Sequence, residues 1–336
     1  MLASLIKSVV SHRSFLKLSR SVTVRPRAAI LCYHSVAERS DHPQQYLSEN
    51  LTVAPEAFER QIRFLSQHYS IVQLESLVDC LRSGHRPDRD SVAITFDDGY
   101  RDNYEHAFPI LRRHGVSATF YLTTGCIENL QLLWTAQLRY VISVTHLDNL
   151  QLNGMANCSF DLSTPQGRED AFTMLVVHMK NIPTPQRLEL LEVVCKKLQV
   201  NEFLPLGRVM MSWNQMREMH REGMSFGAHT VTHPNLPNTE LEEARQEIQE
   251  SKQMLEDQLG GRVDHFAYPN GRGSSHLTQG IKELVREAGF CSAVTSQKGC
   301  VQSGDDLFSL RRIGVYKKHS SLTQFSWDIE RCRWNR

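Results

Sequence analysis

Two carboxylates stand side by side in the run Thr95-Phe96-Asp97-Asp98-Gly99-Tyr100, where an apolar stretch ends. Neighbouring residues leaving a strand point to opposite sides, so Asp97 and Asp98 can do different work. One can bind a cation while the other accepts a proton. Taken alone, the pair is equally an ordinary polar strand end. A second constellation is His229-Thr230-Val231-Thr232-His233-Pro234. Two histidines four apart can reach one metal from a single turn. Pro234 biases His233 away from helix, and no glutamate follows His229. A tight loop after a strand is therefore expected, not a zincin helix. Two neutral imidazoles and one carboxylate leave a fourth position open for water, the pattern of catalytic zinc. Cys32-Tyr33-His34-Ser35 ends another apolar run. A histidine there can protonate a leaving amine at the mouth of a parallel fold, although a lone histidine is more often a core residue. Phe266-Ala267-Tyr268-Pro269-Asn270-Gly271 closes with a turn sequence that can line a pocket and offer backbone N–H groups to an oxyanion.

Positioning these groups requires strands that end beside one another. Apolar runs at Ala29–Tyr33, Val92–Phe96, Ala118–Leu122, Met224–Ala228, Val263–Tyr268 and Cys291–Val294 read as buried strands. Helical patterns fall between them. Phe58, Ile62 and Leu65 share one face after Pro55, a residue suited to a first helical turn. Ser212 and Gln215 form one expected capping box, and Thr239 with Glu242 another. The second helix should stop at Gly260-Gly261. This alternation favours a mainly parallel sheet or barrel. The stretch from about 126 to 208 is helix-rich, with Pro183 and Pro185 and few strand signals, between the chemistry-bearing segments; it reads equally as an insertion or lid over an active site and as a plain structural elaboration.

The whole chain of 336 residues is 40% apolar and 22% charged, with a net charge of +1. It can bury a large core unaided, and nothing in its charge points to nucleic acid. Eight cysteines without a CxxC pair read as ordinary thiols, not a disulfide framework. Residues 1–27 contain Lys7, Arg13, Lys17, Arg20, Arg25 and Arg27, and no acid precedes Glu38. Leu2, Leu5, Ile6, Val9 and Val10 fall at helical spacing, as in a basic amphipathic helix on an anionic membrane surface. A transit peptide, or a helix packed on the domain, has the same composition. No run is long enough for a signal-peptide core or a membrane span, so a cytoplasmic location is expected, with peripheral membrane contact through this segment.

The four constellations together resemble the polysaccharide deacetylase family, also called the NodB-homology or carbohydrate esterase family 4 group. The likeness runs from about Ala29 to about Val315, with TFDDGY and HTVTHP its most specific parts. It implies an α/β fold, a distorted (β/α) barrel with fewer strands than a TIM barrel. Residues 28–336 would form the catalytic domain and carry the helical insertion at about 126–208. It implies Asp97 as catalytic base, and Asp98, His229 and His233 as ligands of a divalent metal, usually Zn²⁺. Water would attack the acetamide of an N-acetylated saccharide, releasing acetate and a free amine. Tyr268, through its backbone, and Asn270 would serve the substrate or the oxyanion.

Two departures from the family pattern matter. FAYPNG lacks the arginine that often orients the catalytic aspartate in the third motif. Arg311 or Arg312 is then the candidate support, neutralising Asp97 or Asp306. The C-terminal region also lacks a histidine at the place where many members carry their general acid. The chain is similar to the branch with permuted motif order, in which a YH pair near the start does this job, and His34 becomes the general acid. Trp134 and Trp213 lie near the motifs, where sugar stacking competes with core packing as their role. On a cytoplasmic site a lipid-linked or nucleotide-linked saccharide is the expected substrate. A non-sugar amide is the rival substrate. A non-catalytic carbohydrate-binding relative is the other rival, and the complete set Asp97, Asp98, His229 and His233 argues against it.

Overall fold

Seven short parallel strands close into a barrel, each buried because helices cover its outer face and side chains fill the inside. The computed structural model describes residues 28–38, 46–88, 91–128, 132–152, 158–200, 209–271 and 277–334. The amphipathic reading of residues 1–27 lies outside the described residues. The barrel strands are β1 (Ala29–Tyr33), β5 (Ser91–Phe96), β6 (Thr119–Leu122), β9 (Ser225–Ala228), β10 (His265–Ala267), β11 (Ser292–Lys298) and β12 (Leu310–Gly314). Their order around the barrel is β1-β12-β11-β10-β9-β6-β5, and β5 pairs back onto β1 from Ala29↔Val92 to Tyr33↔Phe96. The distorted (β/α) barrel with fewer than eight strands is thus the fold observed. A two-residue strand, β4 (Ser70–Ile71), sits beside the start of β5. Another short pair, β2 (Ser35–Val36) with β3 (Thr52–Val53), runs parallel just beyond β1.

Strand alternation sorts the core into two clusters. Leu31, Tyr33, Ile94, Phe96, Phe120 and Phe226 pack with helical side chains such as Phe58, Ile62, Met216 and Ile248. Phe96 stacks on Phe120 at 4.7 Å and on Tyr33 at 5.2 Å, tying three adjacent strands from outside. The alternate residues Ile30, Ala93, Tyr121, Ala267, Val294 and Leu310 form the other cluster, inside the barrel. Helix α2 (Leu74–Arg82), which leads from β4 to the start of β5, adds Leu77, Val78 and Leu81 to that inner cluster. The end where the strands begin is therefore plugged with apolar groups, leaving the other end for polar ones.

Helix α1 (Pro55–His68) begins at Pro55 and buries Phe58, Ile62 and Leu65, as its spacing predicts. Helix α3 (Phe108–Arg113) follows β5. Helix α7 (Trp213–Arg221) carries the expected capping box: Gln215 N donates to Ser212 Oγ at 3.2 Å, and Ser212 N to Gln215 Oε1 at 2.9 Å. Helix α8 (Leu241–Leu259) does not form the box expected of Thr239 and Glu242. Thr239 ends a preceding 3-10 turn and donates its hydroxyl to Leu236 O at 2.8 Å, so the N-cap falls one residue later, at Glu240. It stops where expected, with Gly260 in the left-handed region at φ 69°. Helices α9 (Gln279–Glu287) and α10 (Leu322–Trp334) complete the outer layer.

Between residues 132 and 200 the chain forms α4 (Trp134–Val144), α5 (Pro165–Lys180) and α6 (Thr184–Lys197). It also forms an antiparallel ribbon of β7 (Asn149–Leu152) and β8 (Cys158–Asp161), which the sequence reading did not anticipate. Four residues alternating exposed and buried are too short a signal to stand out. These elements share their own apolar cluster, including Leu138, Val141, Leu150, Phe160, Leu175 and Val194.

Gly227 in β9 shows how tightly the barrel closes. A Cβ there would sit 2.5 Å from Tyr121 Cε1 and 2.8 Å from the His265 carbonyl oxygen. Gly227→Ala should therefore lower stability by about 1–3 kcal/mol, the range for over-packing a rigid core, in urea unfolding.

Candidate functional site

The sheet register gathers the candidate residues at the C-terminal ends of the strands. The β1–β5 ladder continues one step past Phe96, because Asp97 N donates to Tyr33 O at 3.0 Å. Asp97 therefore projects inward above Thr95, while the chain turns sharply through Asp98 at φ 76° and Gly99 at φ 88°. His229 N donates to Leu122 O at 3.0 Å, which extends β9 by one residue before its loop. Thr230 and His233 both adopt positive φ, 65° and 58°, so the HTVTHP segment is the tight loop expected, not a helix. Cys32, His34, Asp97, Asp98, His229, His233, Tyr268, Asn270 and Arg312 all line one cleft of about 440 Å³.

Asp98, His229 and His233 form a triangle in that cleft. Their ligand atoms lie within 4.8 Å of one another, and both Nε2 atoms are 3.5 Å from Asp98 Oδ1. His229 Nδ1 is 2.7 Å from the Ala267 carbonyl oxygen, which can only accept. Nδ1 therefore carries a proton, and in the neutral ring Nε2 is the nitrogen left to coordinate. Two imidazole nitrogens and a carboxylate oxygen converging within 4.8 Å are a donor set that fits a divalent metal. Burial pulls His229 downward in pKa, but the contact with Asp98 and the charge of Asp97 outweigh it and raise it. Burial and the neighbouring His229 lower His233 to about 3, which keeps it neutral and ready to coordinate.

The histidine loop is braced from outside. Glu247 of α8 accepts from Val231 N at 2.7 Å, Thr232 N at 2.9 Å and Thr232 Oγ1 at 2.5 Å. Thr230 Oγ1 accepts from His233 N at 3.0 Å. Trp134 Nε1 donates to His233 O at 3.0 Å, and the Arg187 guanidinium lies 5.1 Å from its ring centre. Trp134 and Trp213 are both buried in packing, which removes them as sugar-stacking candidates. Nothing in the sequence singled out Glu247, since a buried glutamate on an amphipathic helix looks like its exposed neighbours.

Asp97 is held by Arg312 from β12. Nη1 meets Oδ1 at 2.7 Å and Nη2 meets Oδ2 at 2.6 Å, a bidentate pair deep in the barrel. The arginine is fixed in turn: Nε donates to Thr295 O at 2.9 Å and Nη1 to Thr95 Oγ1 at 3.2 Å. Burial alone would raise Asp97, but Arg312 overrides it and holds the carboxyl well below the usual range. The choice between the two arginines is thereby decided. Arg311 points away to Asp305 at 3.2 Å, and Asp306 is served by Lys282 and Arg286. The strand carrying Arg312 was not read from the sequence, because LRRIG has two central charges instead of an apolar run.

His34 follows β1, with its turn clamped by the residues just after DDGY. Asp102 Oδ2 accepts from Ser35 Oγ at 2.6 Å, Asp102 Oδ1 from Val36 N at 3.2 Å, and Asn103 Nδ2 donates to His34 O at 2.9 Å. Sequence reasoning missed Asp102 and Asn103, whose partners lie more than sixty residues away. His34 Nδ1 is buried without a hydrogen-bond partner among the described residues, as is Asn270 Nδ2. The Tyr268 backbone amide corrects one expectation. Its single proton already goes to Val294 O at 3.1 Å, and the Tyr268 hydroxyl donates to Phe308 O at 3.0 Å. The β10–β11 ladder therefore occupies the amide that the resemblance assigns to an oxyanion. Among the side-chain donors of that motif, Asn270 Nδ2 has no partner among the described residues.

A profile of the polysaccharide deacetylases matches residues 84–146 and 184–289, half of the chain. The chain belongs to the polysaccharide deacetylase family. It is 20% identical over 287 residues to Bacillus subtilis YxkH, whose name places it provisionally among these deacetylases; the match covers 85% of this chain and 70% of that one. It is 32% identical over 125 residues to the poly-β-1,6-N-acetyl-D-glucosamine N-deacetylase of Staphylococcus epidermidis, covering 33% of this chain and 43% of the relative, less than half its length. Among solved structures, Streptococcus pyogenes deacetylase PplD, in complex with acetate, superposes with a TM-score of 0.59 at 22% identity. That match covers 90% of this chain and 98% of PplD. IcaB from Ammonifex degensii gives 0.57 at 19% identity, covering 90% and 97%. Both establish a shared fold.

Two measurements test the local physics. Removing Arg312 strands a buried carboxylate, so Arg312→Ala should cost about 3–5 kcal/mol in chemical unfolding of the metal-free protein. Burial pushes Asp102 up to about 7 against the pull of its donors Ser35, Val36 and Asn103. A folded pKa raised above the unfolded value of about 3.9 gives stability that is full below that value and lost as pH rises toward 7. Wild type should lose stability between about pH 4 and pH 7 relative to Asp102→Asn, in parallel urea titrations.

Proposed function

We propose that this chain is a metal-dependent hydrolase that removes N-acetyl groups from a saccharide. The observation that carries the reading is the Asp98-His229-His233 triangle standing beside an Asp97 clamped by Arg312. Asp98, His229 and His233 would hold the ion, Zn²⁺ by the nature of the donors. Bound there, it would supply Lewis acidity, making a water more acidic and polarising the amide carbonyl.

This chain's own groups do the rest. Asp97 stays ionised, because Arg312 keeps it so, and accepts the proton of the attacking water. The bidentate pairing costs basicity and gains aim, since neither carboxylate oxygen can rotate away. His34 hands a proton to the departing nitrogen as the C–N bond breaks, leaving acetate and a free amine. Asn270 lines the cleft and its side-chain amide has an N–H without a partner among the described residues, a donor suited to the oxygen that gains charge as water adds. Leu51, Phe172 and Val176 form an apolar side wall of the cleft, which suits the C–H face of a sugar ring. The likeness to a poly-β-1,6-N-acetyl-D-glucosamine N-deacetylase supports a saccharide substrate.

Acetate release from N-acetylglucosamine oligomers is the direct test, with zinc restored to metal-free protein. Wild type should release acetate only with the metal. Asp97→Asn should retain zinc but lose roughly 10²–10⁴-fold in kcat, the usual worth of a general base. His229→Ala should lose stoichiometric zinc along with activity. Full activity in either variant overturns the assignment. No release from any N-acetyl sugar, with zinc still bound one to one, would reject the saccharide substrate. Asn270→Ala should lower kcat by about 10²–10³-fold with KM little changed, as removal of an oxyanion donor does.

A further inference from the structure

Cys32, His34 and Asp97 form a second cluster of metal-ligand atoms, all within 4.8 Å of one another. The fold brings them together through the β1–β5 register. Cys32 pairs with Thr95 and Tyr33 with Phe96, and the ladder continues through the bond from Asp97 N to Tyr33 O. Cys32 and His34 alternate to the same side of β1, as Thr95 and Asp97 do on β5. That shared side is the barrel interior at the floor of the cleft, where all three residues are lining groups. Cys32 Sγ lies 3.4 Å from Asp97 Oδ2, and His34 Nδ1 is buried with no partner among the described residues.

We propose that Cys32, His34 and Asp97 are a second, inhibitory site for a thiophilic divalent cation, filled by zinc in excess. Sulfur, nitrogen and oxygen donors leave one tetrahedral position for water. A thiolate selects zinc over hard cations such as Mg²⁺. On binding, the Cys32 thiol releases its proton to solvent, and the ion takes the thiolate, an imidazole lone pair and Asp97 Oδ2. Oδ2 is also the atom that meets Arg312 Nη2, at 2.6 Å, so the ion competes with an arginine. It is further repelled by any ion held at Asp98, the next residue. Both effects make this site weaker than the first, which is why it fills second. Its inhibitory effect rests on the reading of Asp97 as base and His34 as acid, since one ion would occupy both.

The test is a titration of the metal-free full chain with Co²⁺, which reports sulfur ligation directly. The first equivalent should give visible ligand-field absorption without a thiolate-to-cobalt charge-transfer band. A second equivalent should bring that near-ultraviolet band, and Cys32→Ala should lack it. Cys32→Ser, nearly isosteric, serves if the alanine variant fails to fold. In acetate-release assays, inhibition by excess zinc should need at least tenfold more zinc in the Cys32 variant, each protein being referred to its own rate at one equivalent. A single equivalent bound, or a second with no sulfur band, overturns the site. An unchanged band in the Cys32 variant overturns it as well. A protein that shows the band but releases no acetate at any zinc level keeps the site and rejects the deacetylase reading instead.

Discussion

The ion pair between Arg312 and Asp97 is the constraint around which the mouth of the barrel is organised. Both side chains are almost wholly withdrawn from water, at 1% and 5% exposure. A pair so deep gains little net stability over an apolar filling, because desolvation offsets most of the attraction. What it gives is position. Five strands contribute to it: β5 brings Asp97 and Thr95, β12 the arginine, β11 the Thr295 carbonyl, β1 the thiol of Cys32, and β6 the Tyr121 ring, 5.7 Å from the guanidinium. A carboxylate oriented by two parallel hydrogen bonds cannot swing toward His229 or out into the cleft. The same pair keeps charge on Asp97 beside a second buried carboxylate, Asp98, whose pKa burial pushes up and the contact with His229 and its neighbours brings down.

A second layer of support surrounds the histidine loop. Two of its residues sit in the left-handed region without being glycine, a conformation that needs outside contacts to persist. Glu247 supplies them to the backbone at Val231 and Thr232, and Trp134 to the carbonyl of His233. Trp134 belongs to α4, and Arg187 of α6 lies over its ring, so the helices between residues 132 and 200 reach the candidate metal centre through one indole. Lys180 O, at the end of α5, accepts from both Asn235 and Asn238 just past the loop. The helical region and the loop are thereby parts of one packed unit.

Membership in the polysaccharide deacetylase family leaves open how this chain fills the places where its motifs depart from the family's. The third motif lacks its arginine, and β12 supplies one from another strand. The Tyr268 amide is committed to the sheet, and the Asn270 side chain has the unused donor. In both cases the chemical group is available in the cleft but comes from a different position in the chain. Charge and direction at the site matter more than which residue number provides them.

Much of this was legible in the sequence. Mainly apolar runs marked six of the seven barrel strands, because strands buried on both faces need no regular polar alternation. The DD pair and the HTVTHP loop stood out because adjacent carboxylates and spaced histidines are local patterns. Ser212 with Gln215 announced its helix for the same reason, a bond between residues three apart. Thr239 misled, because the hydroxyl had a nearer partner in Leu236. What stayed hidden depends on distance along the chain. Arg312 meets Asp97 across 215 residues, Asn103 meets His34 across 69, and Glu247 braces Thr232 from a neighbouring helix. No local pattern records such pairings. Closure of the barrel decides the first, since its register determines which inward-facing side chains meet, and helix packing on the outer face decides the last. The sequence by itself determined the groups that can do chemistry and the strands that carry them; the tertiary structure decided which arginine, which amide and which braces surround them.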